Sequence, residues 1–164
     1  MSTMVIVILV IFAIVCGVAF FNAKQRGDEL MAQGKIVRRD PNFYEYAETF
    51  MLSNVDYDKV LYHVNARSFA DSGCTVYPNN GGYGNILFKS TNEWNAVIKY
   101  LGEENSIYKY RFQFVAWQGG SSGIPKMESM NIFETKIEKM FLSLDSNAKV
   151  QSERVKYNTS RSYF

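Results

Sequence analysis

The chain has 164 residues with 18 Lys and Arg against 16 Asp and Glu, a net charge of +2 that is too small by itself to point to nucleic acid or anionic lipid. Two cysteines, Cys16 and Cys74, provide no disulfide framework, and with a single histidine there is no Cys/His pattern to hold zinc. Every charged residue lies beyond Phe21, so the 47% hydrophobic content is inflated by the opening segment, and the rest is an aromatic-rich chain of one-domain size.

The opening segment, 4–21, reads MVIVILVIFAIVCGVAFF. As a helix it spans about 27 Å, against a hydrocarbon core of roughly 30 Å. Thirteen of its 18 residues are Val, Ile, Leu or Phe, and their insertion preferences sum to roughly 4–8 kcal/mol with no charge opposing them. It has no polar face, which a helix packed on a soluble core would need. No basic residue precedes it, Phe20-Phe21-Asn22 closes it, and Ile14-Val15 precedes Cys16, a poor fit to either a signal-peptide or a lipoprotein cut. The expectation is an uncleaved single-pass transmembrane helix at 4–21, with the lipid bilayer as its partner. Lys24, Arg26, Lys35, Arg38 and Arg39 follow it, so the positive-inside bias puts the domain in the cytoplasm, at the cell membrane. These membrane-proximal basic residues lie in a juxtamembrane linker, 22–41, and each is worth about 1 kcal/mol against anionic headgroups.

Pro41 marks the start of a domain expected over 42–157, followed by a tail at 158–164. YEYAETFML (44–52) alternates and reads as a strand. Ser53 and Asn54 are cap candidates for a helix that places Tyr57, Leu61, Val64 and Ser68 on one stripe, with Asp56 and Asp58 in its first turn. CTVYP and GNILFK form a hairpin around the turn NNGG, where Asn and Gly supply positive φ. STNEWNAVIKYLG (90–102) predicts a second helix: Ser90 and Glu93 have capping-box spacing, Trp94, Val97, Ile98 and Leu101 share a face, and Gly102 closes it. IYKYRFQFVAW (107–117) is a strand with Tyr108, Tyr110, Phe112, Phe114 and Ala116 on one face. A Gly/Ser loop leads to a helix at 125–144, with Met130, Phe133, Ile137, Met140, Phe141 and Leu144 as its buried stripe. KVQSERVKYNTSRSYF reads as a polar edge strand passing into a tail. This order predicts an α+β fold: a ferredoxin-like βαββαβ antiparallel sheet with an extra C-terminal helix over its other face or an edge.

No catalytic pattern is present. His63, on the predicted helix that carries Tyr57, Leu61 and Val64, has no nucleophile at a recognisable spacing; there is no phosphate loop or dinucleotide fingerprint; Glu103-Glu104 and Asp56/Asp58 stand at predicted helix ends. The chain is therefore expected not to be an enzyme and to carry no cofactor or metal. Tyr83, Phe88, Tyr108, Tyr110 and Trp117 are the candidate binding surface. GGYGNILF (81–88) resembles the main signature of RNA-recognition motifs through Gly82, Tyr83, Gly84, Ile86 and Phe88, and FMLSNV (50–55) its partner signature. That resemblance implies base stacking on exposed aromatics. Here Asn85 and Met51 stand at two stacking positions and Gly81 replaces the leading basic residue, which disfavours RNA. The apolar anchor, Gly34-Lys35-Ile36 with Arg38, and IEKMFLSLD (137–145) resemble uncharacterised single-pass membrane-anchored proteins of Gram-positive anaerobic bacteria. This implies a bacterial membrane and transfers no functional residue. The expected function is a non-catalytic, membrane-tethered interaction module for a protein partner or for itself, through exposed aromatics or a sheet edge. A single-stranded RNA binder and an enzyme with an unrecognised site are the alternatives.

Overall fold

The computed structural model describes residues 3–66, 69, 73–91, 93–118 and 127–155. Ser68, the Gly/Ser loop after Gln118, Pro125 and the tail at 158–164 lie outside them. The chain divides into two units, Met1–Arg38 and Arg39–Phe164.

The first unit is built on helix α1, Thr3–Ala32. It is longer than the expected anchor, so the first part of the expected linker, 22–32, is helical. Nothing in the sequence from Asn22 onward breaks it until Gly34. There φ is +64°, Gly34 N–H donates to Met31 O (2.9 Å) and Lys35 N–H to Leu30 O (2.9 Å). This is a Schellman closure, and the left-handed residue it needs costs least as glycine. Over 4–21 the described apolar side chains of α1 are exposed, Phe12 by 67% and Phe20 by 75%. The segment Val7–Ala32 contains an 18-residue window of mean hydropathy 2.4 and is, by length and composition, long and apolar enough to cross a membrane.

The second unit is an α+β fold on one six-stranded antiparallel sheet. Its elements are β1 (Tyr46–Ser53), α2 (Tyr57–Ala66), β2 (Cys74–Pro78), β3 (Asn85–Ser90), β4 (Trp94–Glu104), β5 (Ile107–Trp117), α3 (Met127–Leu144) and β6 (Lys149–Arg154). The strand order is β2-β3-β4-β5-β1-β6. A single 3-10 turn, Phe43–Glu45, precedes β1 and buries Phe43 against Phe114. The cap of α2 is Asp56, whose Oδ1 accepts from Lys59 N–H at 2.8 Å, rather than Ser53 or Asn54.

The largest departure from the sequence reading is β4. The expected helix at 90–102 is a strand paired with β3 on one side and β5 on the other. Both periods fit these residues. Trp94, Val97, Ile98 and Leu101 satisfy a helix, whereas Trp94, Ala96, Ile98 and Tyr100 satisfy a strand. The strand wins because two neighbouring strands supply hydrogen bonds along both its edges and it buries Trp94, Ala96 and Ile98 completely. Glu93 does not form a box with Ser90; its Oε2 accepts from Ser129 Oγ (2.7 Å), which in turn accepts from Trp94 Nε1 (3.1 Å). Gly102 closes no helix and sits at a bulge with φ +118°. Asn105 and Ser106, both at positive φ, make the two-residue turn into β5. Strands β2 to β5 thus form an uninterrupted meander, β1 inserts between β5 and β6, and the four-stranded ferredoxin-like order is not what forms.

Helices α2 and α3 pack on one face of the sheet. From α2, Tyr57, Val60 and Val64 are buried; from α3, Met130, Phe133, Ile137, Met140 and Phe141. Phe133 is the centre, its ring 4.5 Å from Trp94 and 5.0 Å from Phe88, with Phe112 and Phe114 also against it. So α3 covers the same face as α2, and the opposite face carries no helix among the described residues. In the core, the Tyr110 hydroxyl donates to Val55 O at 2.8 Å. Burial pushes that hydroxyl far above its ordinary range. Tyr110→Phe is expected to cost about 1–2 kcal/mol in urea unfolding, because it leaves a buried carbonyl without its donor.

Candidate functional site

Alternation along the strands sends one set of side chains into the core and the other onto the uncovered face. The strand registers arrange that second set in rows. One row runs Asn85, Lys99, Arg111, Thr49, Gln151; the next runs Tyr77, Leu87, Val97, Gln113, Ala47, Glu153. Between them lies a shallow groove of about 280 Å³ lined by Val97, Lys99, Leu101, Arg111 and Gln113. Arg111 is pinned: Nε donates to Gln113 Oε1 (3.2 Å) and Nη1 pairs with Glu153. Lys99 lies directly opposite Arg111, a like-charge pair that costs stability in a sheet. The face carries five basic side chains, Lys89, Lys99, Lys109, Arg111 and Lys149, against two carboxylates, Glu104 and Glu153. It therefore holds more positive charge than the whole chain, whose net charge is +2.

A second cluster surrounds Arg39. Its Nη1 donates to Glu138 Oε1 (3.0 Å), and Nη2 reaches the other oxygen of the same carboxylate and Thr135 Oγ1 (3.4 Å). Nε donates to Asn131 Oδ1 at 3.1 Å and lies 3.4 Å from Glu134 Oε2, while Glu48 Oε1 is 3.9 Å from Nη1. Burial, then the neighbouring carboxylates, pushes Glu134 up to about 9, with Arg39 opposing; the same causes push Glu48 up to about 7. At neutral pH Glu134 therefore holds its proton, and the full charge of Arg39 is balanced chiefly by the bidentate Glu138. Shifted carboxyls mark functional sites in general. Here the guanidinium itself fills the space between them, and no group of acidic, Cys or His side chains among the described residues is arranged to hold a metal.

The aromatic residues singled out from sequence do not form one surface. Phe88 and Tyr110 are completely buried in the core. Tyr108 is half-buried, stacked 6.4 Å from Tyr100, and Trp117 packs edge-on against Tyr44 at 5.1 Å. Tyr83 is 70% exposed and sits edge-on to Tyr57. None of the five is on the uncovered sheet face, whose one aromatic is Tyr77, under the Lys89 ammonium. Among the basic residues, Lys24 and Arg26 lie on α1 and Lys35 and Arg38 follow it. Arg39 belongs to the folded second unit, engaged by carboxylates of β1 and α3. The residues that sequence reasoning passed over are Lys99, Val97 and Leu101, because a helix had been expected there. Comparison with protein-family models, curated proteins and solved structures finds no match.

Proposed function

We propose that the protein is a non-catalytic binding module tethered by α1 to a bacterial cell membrane, with the second unit in the cytoplasm and the uncovered sheet face as its binding surface. One observation carries this reading: both helices pack on the same side of the sheet, so the other side presents a groove rimmed by Lys99 and Arg111 beside half-exposed Leu101. The sheet edges are poorer candidates. Strand β6 carries Lys149, Glu153 and Arg154, and β2 ends in Pro78, both of which blunt strand addition. Two stacking positions of the RNA-recognition resemblance lie on the uncovered face and hold Asn85 and Met51, which offer a base no aromatic ring. The Glu48/Glu134/Glu138 cluster is filled by Arg39, so these carboxyls leave no room for a substrate between them.

The test uses the full chain with a C-terminal epitope in bacterial cells. The chain is expected to stay in the membrane pellet through alkaline carbonate extraction. The epitope is expected to survive trypsin added to intact spheroplasts and to disappear on lysis, with cleavage at Lys35 or Arg38. Release by carbonate would remove the tether; loss of the epitope before lysis would reverse the sidedness.

A further inference from the structure

Resting on the reading of the uncovered face as the binding surface, we propose that its occupant is an anionic lipid bilayer surface, the one beside which the α1 tether would hold it. Three observations meet here. First, the face is chemically two-component: Lys99, Arg111, Lys89 and Lys109 stand beside Leu101, 47% exposed, and Tyr77, 44% exposed. Long basic side chains over short apolar ones match phosphate groups above the first methylenes of a headgroup layer. Second, Lys99 and Arg111 are held opposite one another although like charges repel, and Lys99 has no ion-pair partner among the described residues. A phosphate layer lying across the row relieves that repulsion without rearranging any strand. Third, six residues, 33–38, lie between the last residue of α1 and the first of the folded unit. At full extension that link reaches at most about 20 Å, and helical residues 22–32 add about 16 Å beyond the apolar run, so a tethered domain stays within about 40 Å of the bilayer. A membrane held at that distance acts at high effective concentration, and weak contacts then suffice.

The experiment places the full chain in lipid nanodiscs. In a Cys16→Ser, Cys74→Ser background, an environment-sensitive dye is attached through Leu101→Cys on the face or, as control, through Leu142→Cys on α3. In discs with about one-third anionic phospholipid, the dye at 101 is expected to shift to the blue and be quenched by headgroup spin labels, roughly five-fold or more above the dye at 142, and roughly 0.5 M salt is expected to reverse this. In neutral discs the two sites are expected to behave alike. Lys99→Glu, which turns the like-charge pair into an opposite-charge one and so keeps the sheet, is expected to abolish most of the difference. Equal, wet signals at 101 and 142 in anionic discs would overturn the docking while leaving the tethered module standing. Dehydration at 101 in native membranes but not in purified anionic discs would give the face to a protein, again overturning this occupant alone. Failure of the chain to co-purify with discs of either kind would remove the tether and both proposals with it.

Discussion

Arg39→Ala is expected to destabilise the folded unit by about 3–5 kcal/mol, the range for removing one partner of a largely buried ion pair. That is a large share of the roughly 5–15 kcal/mol by which a domain of this kind is stable. The reason lies in what remains. Arg39 makes hydrogen bonds to Asn131, Thr135 and both oxygens of Glu138, and its guanidinium pairs with Glu48 and Glu134. Without it three carboxyl groups share a largely dry site, and either protons must be taken up or α3 must move away from β1. Arg39→Lys is expected to recover only part of the loss, because an ammonium cannot reproduce the planar fork across Glu138 and Asn131. Urea unfolding of the detergent-solubilised full chain, followed through the fluorescence of Trp94 and Trp117, measures both variants. An unchanged midpoint for Arg39→Ala would reduce the cluster to a surface ion pair, worth about 0–1 kcal/mol.

Arg39 also shows where sequence reasoning reaches its limit. It stands second in an Arg38-Arg39 pair after an apolar helix, and nothing local distinguishes a headgroup contact from a guanidinium claimed by the domain. The claim comes from Glu134 and Glu138, some hundred positions away on α3. One signal was present: Glu134 falls between Phe133 and Ile137 on a helix whose other buried residues, Thr135 apart, are apolar. A carboxylate so placed needs a cation. The α3 stripe itself was legible because Met130, Phe133, Ile137, Met140 and Phe141 follow a 3.6-residue period and admit no strand. The same holds for β5, where strict alternation over many residues excludes a helix.

The error at 90–102 had a different origin and a larger consequence. Ser90 and Glu93 matched a capping box, and four apolar residues matched helical spacing, so a locally sound reading fixed a fold with the wrong strand count. The decisive cue lay outside the window. Asn105 and Ser106 between two alternating runs signal a tight hairpin, and a hairpin into β5 requires a strand before it. Once β4 is a strand, Val97, Lys99 and Leu101 pass from a helix surface to the uncovered sheet face, where with Arg111 they line the groove. The aromatic residues go the other way. Tyr110 and Phe88, expected on a binding surface, are buried on the face that α2 and α3 cover. The candidate surface was thus missed for a topological reason, since every residue in it was visible from the start.

Folding stability is expected to fall by roughly 5–8 kcal/mol as pH rises from about 5 to about 9, most steeply between about 5 and 7, where the unfolded chain has lost both protons and the folded chain keeps them. Glu48 and Glu134 bind protons more tightly in the folded chain, at about 7 and about 9, than at their ordinary value of 4.5. Their contribution is complete below that ordinary value, where both forms are protonated. It is lost as pH climbs through the folded values, because each carboxyl must then ionise in a dry site beside other carboxylates. Arg39 limits the loss but serves Glu138 first. Asp145, held below its usual range by the Ser53 and Asn147 N–H groups, acts with the opposite sign and only in more acidic solution. Glu134→Gln keeps the shape and removes the proton, so its profile should be flatter: close to the parent at about pH 5, and roughly 4–5 kcal/mol more stable at about pH 9. Urea midpoints at a series of pH values separate the outcomes. A parent profile that rises toward pH 9, or a Glu134→Gln profile parallel to it, would mean that Glu134 is already ionised at neutral pH. The Arg39 cluster would then be a fully charged ion-pair network, with no buried acid held neutral within it.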